Sequence, residues 1–218
     1  LHLARKPLDM DRRFTPLGMF SATRVLLVVN PKALPVRDLQ QLTEHLRRNP
    51  ETPYASAGHG GLGHLGMELW AAQEKMKLMH VAYRGTAPAL EDVLGGRVPM
   101  MFLDANAAAP HVRSGALRAL ATVSSQRSPA FPDMPTAAEL GVPSLQIDGI
   151  IGLVAPAGTP GSVVERLRTA IRLATESETY GAAVHQAGAV RQYMDAPEFG
   201  PWLQKESDRW GRVVHDAG

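Results

Sequence analysis

The sequence predicts an α/β fold built on a mostly parallel sheet. Three observations predict it. Short, wholly apolar runs recur along the chain, the clearest being "TRVLLVVN" (Thr23–Asn30). Between them lie segments whose apolar residues return every three or four positions. Gly, Pro and Asn mark the changeovers, as at Asn30-Pro31, Asn49-Pro50 and Gly95-Gly96.

Taken in order, Thr23–Asn30 is a buried strand, because an unbroken apolar run of this length has no solvent face. Leu39, Leu42 and Leu46 then trace a helix stopped at Asn49-Pro50. "PYASA" (Pro53–Ala57) is a short strand running into "GHGGLGHLG". Leu62, Leu65, Leu69 and Ala72 mark one helix face. "LMHVAY" (Leu78–Tyr83) is a strand, and "TAPALEDVLGG" (Thr86–Gly96) a helix with a glycine stop. "VPMMFLD" (Val98–Asp104) is a strand with Pro99 confined to its start. "AAAPHVRSG" supplies a helical turn or two, and "LRALATVS" (Leu117–Ser124) a further strand.

After the Pro-rich stretch "SPAFPDMPT", Thr136 and Glu139 have capping-box spacing. "GIIGLVAPAGTP" (Gly149–Pro160) is a strand and a loop, with Thr159 expected as N-cap and Pro160 as first helical residue. Val164, Leu167, Ile171 and Ala174 form a helical stripe, and a second helix ends near Gly188. Asp195 and Glu198 are placed to cap a last helix carrying Phe199, Leu203, Trp210 and Val213.

Tyr54–Trp70, "YASAGHGGLGHLGMELW", carries the chemistry, and it reads three ways. Gly58, Gly60 and Gly63 satisfy the spacing of a dinucleotide loop. That loop needs an acid at the end of the next strand to hold a ribose, and this strand ends Tyr83-Arg84-Gly85. His59 and His64, with Glu68 one turn on, suggest a metal pair, but no third ligand stands out, so no metal is expected. The remaining reading is an anion pocket, in which backbone N–H groups at a helix start and the helix dipole together favour negative charge. A tight turn that merely allows close strand–helix packing stands beside it.

Composition narrows the classes. The 218 residues are 44% apolar and 20% charged, an ordinary globular balance with room for one large domain or two small ones. Lys and Arg number 23 against 21 Asp and Glu, scattered rather than striped, so no nucleic-acid partner is expected. The absence of Cys excludes disulfides, thiolate zinc sites and thiol nucleophiles. No apolar run approaches a membrane span. Ser124, Ser125, His80 and His111 form no nucleophile–base set, so binding without catalysis and without a cofactor is the expectation. The chain opens "LHLARKPLDMDRRF", without an initiating Met, which reads as a fragment or a processed form.

Five stretches occur together: "LLVVNPKALPV", "YASAGHGGLGHLGMELW", "HVAYRGTAPALEDVLGGRVPMMF", "LRALATVSSQRSPAFPDMPTAAELGVP" and "GLVAPAGTPGSVVERL". In order and spacing they resemble the tripartite tricarboxylate transporter receptor family, the Bug-type periplasmic solute-binding proteins. The resemblance runs from about Pro7 onward. It implies a two-lobed α/β clamp, like the type II periplasmic binding proteins, with the first lobe incomplete here. Residues 1–30 and 148–218 are then what remains of lobe 1, and residues 31–147 are lobe 2.

The resemblance further implies a periplasmic receptor that holds a small carboxylate between its lobes for membrane permease subunits. On that footing Ser56, His59, Gly60, Gly61, Tyr83, Arg84, Gly85 and Asp104 are the expected ligand-binding residues. Three features depart from the family pattern. The first-lobe glycine loop is absent. Gly61 and His59 stand where the family usually has Ser and often Asn. Leu103 precedes Asp104, where the family often runs Met-Phe straight into Asp-Asn. An apolar surface left by an incomplete lobe implies either pairing with a second copy or a longer natural chain. The alternatives to a receptor are a nucleotide-dependent oxidoreductase using the Gly58–Gly63 loop and a ligand-free interaction module.

Overall fold

The computed structural model describes residues 13–187 and 189–217. The opening stretch up to residue 12 and the expected helix stop at Gly188 lie outside them. The chain divides into two compact units. One spans Arg24–Gly149, and the other joins the segment up to Thr23 to that from Ile150 onward.

The Arg24–Gly149 unit is a five-stranded sheet of order β4-β3-β5-β2-β6. Its strands are β2 (Val25–Val29), β3 (Thr52–Ser56), β4 (Leu78–Ala82), β5 (Met100–Asp104) and β6 (Arg118–Thr122). Four helices connect them: α1 (Leu39–Arg48), α2 (Leu62–Gln73), α3 (Thr86–Leu94) and α4 (Ala105–Arg113). β3 runs parallel to both β4 and β5, as strand–helix–strand crossovers require. β2 lies antiparallel to both β5 and β6. Four strands therefore share one direction, with a reversed β2 inserted among them. The mostly parallel expectation needs this correction, and its cause is local. Only Arg24 separates β2 from the preceding strand, β1 (Phe14–Thr23), so β2 enters without a crossover helix to set its direction.

β2 is also where the domain boundary differs from the expectation. The sequence reading grouped it with residues 1–30, but its pairing with β5 and β6 puts it inside the second unit. Its Leu26, Leu27, Val28 and Val29 are fully buried, as an apolar run at mid-sheet should be. One face of the sheet packs Leu26, Val28, Ala55, Met101 and Leu103 against Ala89, Val93 and Ala108 of the helices. α1 buries Leu39, Leu42 and Leu46 as spaced. Thr136 and Glu139 make both capping-box bonds, Thr136 N–H to Glu139 Oε2 at 2.7 Å and Glu139 N–H to Thr136 Oγ1 at 3.1 Å.

The other unit is a three-stranded sheet of order β7-β1-β8, with β1 (Phe14–Thr23), β7 (Gly149–Pro156) and β8 (Val190–Asp195). β1 and β8 are antiparallel, and neither is among the strands expected from the sequence. α5 (Gly161–Glu176), α6 (Glu178–Gln186) and α7 (Ala196–Ala217) complete the unit. Pro160 is the N-cap of α5 rather than its first residue, because the Thr159 hydroxyl turns back to donate to the Pro156 carbonyl at 2.7 Å. Asp195 receives the Ala196 N–H at 2.8 Å and is gripped by Arg168 through Nη2 at 2.8 Å and Nε at 3.2 Å. The expected apolar stripe of α5 is not buried, since Thr175 is the only residue of that helix in the core. Ile151 and Leu153 of β7 and Val163, Leu167 and Leu173 of α5 are exposed.

Candidate functional site

In an open α/β sheet, ligands sit beyond the carboxyl ends of the parallel strands. Here those ends are Ser56, Ala82 and Asp104, all within the Arg24–Gly149 unit. The loops beyond them are stitched together by backbone bonds, Tyr83 N–H to the Ser56 carbonyl at 3.0 Å and Gly85 N–H to the Ala57 carbonyl at 3.1 Å. Gly60 sits at φ +72° and Gly85 at φ +118°, which a side chain would strain.

A cavity of about 340 Å³ opens at this edge, bordered by Gly58, His59, Gly61–Gly63, Thr86, Asp104 and the apolar Met101, Phe102 and Ile147. Two helices begin on it. α2 starts from Gly61 and α3 from Gly85, and neither start carries a side-chain cap. Their first N–H groups are unclaimed by side chains and lie at the positive ends of two helix dipoles. α4 differs, because Asp104 caps it by accepting from Asn106 N–H at 2.9 Å and Ala107 N–H at 3.4 Å. Burial pushes the Asp104 carboxyl above its ordinary range, opposed by those two amides.

Of the eight expected residues, His59, Gly61 and Asp104 border the cavity. The polar groups expected of four others are engaged within the protein. The Ser56 hydroxyl donates to the Gly58 carbonyl at 3.0 Å, accepts from Gly58 N–H at 3.2 Å, and lies 2.6 Å from His80 Nε2. Gly60 N–H donates to His64 Nδ1 at 3.1 Å. The Tyr83 hydroxyl donates to Asp92 Oδ2 at 2.6 Å; burial, then this bond and the Asp92 charge, push it up to about 12. Gly85 N–H serves Ala57. Arg84 is exposed and is not among the cavity-lining residues. Leu62, Gly63 and Thr86, at the two helix starts, are lining residues outside the expected ligand-binding set.

The histidines have a neighbour that their spacing in the sequence does not show. His59 and His64 do have a third partner, His80 of β4, and one ring nitrogen from each of the three lies within 4.8 Å of the others. The His80 ring stacks on Tyr54 at 5.0 Å and on His64 at 3.9 Å, while His59 stands edge-on to both imidazoles. Burial, reinforced by the His64 and His59 charges, depresses His80 to about 4. Burial also lowers His64, opposed by the Glu68 carboxylate. Strand pairing held the signal for His80. It lies opposite Tyr54 in the parallel β3–β4 register, and the Tyr54 hydroxyl faces α2, donating to Glu68 Oε1 at 2.5 Å. Alternation therefore puts His80 on the α2 face, beside His64.

An α/β unit with a pocket at the strand ends, bordered by uncapped helix starts, has the geometry of a site for a small anionic solute. The comparisons specify it further. The model of the tripartite tricarboxylate transporter receptor family matches residues 4–218, and the chain belongs to that family. A Pseudomonas sp. strain P51 protein from the tcbD–tcbE intergenic region is 36% identical over 96% of this chain and 63% of its own length. Protein BugT of Bordetella pertussis is 33% identical over 97% of this chain and 65% of its own. The chain thus spans just under two thirds of the length of these relatives.

Among solved structures, one described as a periplasmic transporter is 32% identical with a TM-score of 0.80, over 97% of this chain and 71% of that one. An R. palustris protein with adipate is 30% identical, TM-score 0.79, with the same coverage. MatC from Rhodopseudomonas palustris with bound malate is 29% identical, TM-score 0.74, over 92% of this chain and 69% of its own. The family is one of receptors, not enzymes, which removes the oxidoreductase alternative. No helix among the described residues is long and apolar enough to cross a membrane.

Proposed function

We propose that this chain is the carboxylate-gripping part of a periplasmic solute receptor that delivers a small organic acid to the permease subunits of a tripartite tricarboxylate-type transporter. The observation that carries the reading is the pairing of two uncapped helix starts, at Gly61 and Gly85, around one cavity. Each start favours an anion by about 0.3–1 kcal/mol when exposed and more when partly buried. A carboxylate has two oxygens to share between two such starts. Asp104 suits the hydroxyl of a hydroxy acid, and the apolar Met101, Phe102 and Ile147 suit its carbon chain. The adipate and malate of the two related structures are acids of this kind.

In this reading the ligand lies between two lobes, with residues 24–149 as lobe 2 and the remainder in lobe 1. Delivery to a permease rests on family membership. The exposed Ile151, Leu153 and Leu173 support pairing with a second copy through lobe 1, which light scattering reads directly.

A thermal-shift and calorimetric screen of mono- and dicarboxylates, adipate and malate included, tests the reading. A ligand at a hundred times its Kd should stabilise the protein by about 2.7 kcal/mol. Stabilisation by NADPH with none from any carboxylate refutes it.

A further inference from the structure

His64 and His80 have no role in the receptor reading, and His59 joins them at the border of the cavity. Hydrogen-bond accounting shows what they have to spare. The Ser56 hydroxyl has one proton, which we assign to the Gly58 carbonyl at 3.0 Å. Its oxygen is thus the acceptor for His80, and His80 Nε2, 2.6 Å away, carries the ring proton. The other nitrogen, His80 Nδ1, then bears a lone pair, and it is buried without any partner. His64 Nδ1 is likewise a lone pair, met only by the Gly60 N–H at 3.1 Å. His59 is exposed on the loop between two glycines at positive φ, Gly58 and Gly60, which give its backbone room to move.

We propose that His59, His64 and His80 form a binding site for a first-row divalent transition metal of the zinc type. Three imidazole nitrogens within 4.8 Å need a modest closure to meet one ion, since tetrahedral Zn–N bonds of about 2.0–2.1 Å place ligand nitrogens roughly 3.3 Å apart. His59 supplies part of that movement, and the stacked His64 and His80 rings splay apart so that both lone pairs meet the ion. His80 contributes Nδ1, its Nε2–H held by Ser56 in the supporting arrangement common to metal-bound histidine. His64 exchanges the Gly60 N–H for the ion. Neutral imidazoles are what a metal requires, and burial keeps His80 neutral at pH 7. Glu68, close enough to act on the His64 charge, adds a nearby negative group. An all-nitrogen set suits zinc, nickel or copper and not calcium or magnesium, which take oxygen ligands. Three protein ligands leave a position for water or another oxygen donor.

The test uses the whole chain, stripped with EDTA and titrated calorimetrically with Zn²⁺ in a non-chelating buffer at pH 7.5, with Co²⁺ absorption as the second readout. One tight equivalent of zinc per chain is expected, together with visible Co²⁺ bands of nitrogen ligation. His59→Ala, a change at an exposed ring that leaves the fold intact, and His80→Gln should each weaken zinc by roughly tenfold or more. His45→Ala should leave it unchanged. No saturable binding below the millimolar range overturns the proposal, as does binding that neither His59→Ala nor His80→Gln alters. The readout needs no carboxylate. A chain that binds zinc but no acid counts against the receptor reading alone, and the converse result counts against the metal site alone.

Discussion

Replacing Gly61 by Ser should stabilise the protein, and the structure sets the size of the effect. Gly61 is the N-cap of α2 at φ −77°, ψ 168°, a conformation open to any residue and usual for a cap. A Cβ there would lie 3.7 Å from the Gly58 carbonyl oxygen, an ordinary contact without steric cost. A serine hydroxyl can accept from the His64 N–H, now shared with the Gly61 carbonyl at 3.0 Å, and a cap of this kind improves on glycine by a few tenths of a kcal/mol. Removing a glycine from the unfolded chain adds about 0.4–1 kcal/mol. The sum is about 1 kcal/mol, or roughly 3 °C in Tm for a chain of this size. Gly60 is the internal contrast. At φ +72° an alanine costs about 1–2 kcal/mol, so Gly60→Ala should melt lower. Scanning calorimetry of the three proteins decides the matter. A Tm for Gly61→Ser below wild type, or for Gly60→Ala at or above it, refutes the conformations assigned to this loop.

Gly152→Ala should destabilise the unit formed by β7, β1 and β8 by about 1–3 kcal/mol, because the added Cβ would meet Phe199 Cζ at 2.6 Å and the fixed Gly18 carbonyl oxygen at 2.9 Å. Gly181→Ala on α6 has its nearest neighbour at 3.7 Å and should be neutral or stabilising; equal denaturant midpoints for the two variants contradict that packing. In metal-free protein, His80 titrates near 4 when folded and near its ordinary 6.5 when unfolded, so the unfolded chain takes the proton first. The stability this confers is present above pH 6.5 and is lost as pH falls towards 4. His80→Gln should flatten the decline in Tm over that window, and identical slopes for variant and wild type reject the assignment.

Local signals were legible where one segment decides its own state. The Leu39, Leu42, Leu46 spacing became a helix burying those three residues, and the Thr136–Glu139 box formed both its bonds. β1 and β8 were not legible, because each is a strand through the other, paired across most of the chain as in Gly18↔Asp195. Pro16 and Gly18 blur the alternation of β1, and "VRQYMD" reads as a connection until a partner is known. The reversed direction of β2 also had no local signal, since an apolar run looks alike either way round. Within the site, the sequence pointed to the right loop but not to the division of labour in it. Ser56 and Gly60 carry suitable donors, and only coordinates show those donors already spent. His80 stood on a different strand from His59 and His64, and register, not spacing, joins them.

That division of labour follows from where each N–H at the strand ends is directed. Gly58, Tyr83 and Gly85 give theirs to Ser56 Oγ, the Ser56 carbonyl and the Ala57 carbonyl. These bonds fix the two loops to each other and leave nothing for a ligand. The helix starts at Gly61 and Gly85 are therefore held in place before any anion arrives, and a site ordered in advance loses less conformational entropy on binding. Two of these donors go to side chains and not to the backbone, the Gly58 N–H to Ser56 Oγ and the Gly60 N–H to His64 Nδ1. A side-chain acceptor can be drawn away by rotation, whereas a carbonyl moves only with its strand. Rotation of the His64 ring would thus release the Gly60 N–H next to the cavity. His64 Nδ1 is also the nitrogen a metal would take. The glycine loop accordingly combines a part fixed by backbone bonds, which sets the anion geometry, with side-chain bonds at Ser56 and at the histidine cluster that rotation can adjust.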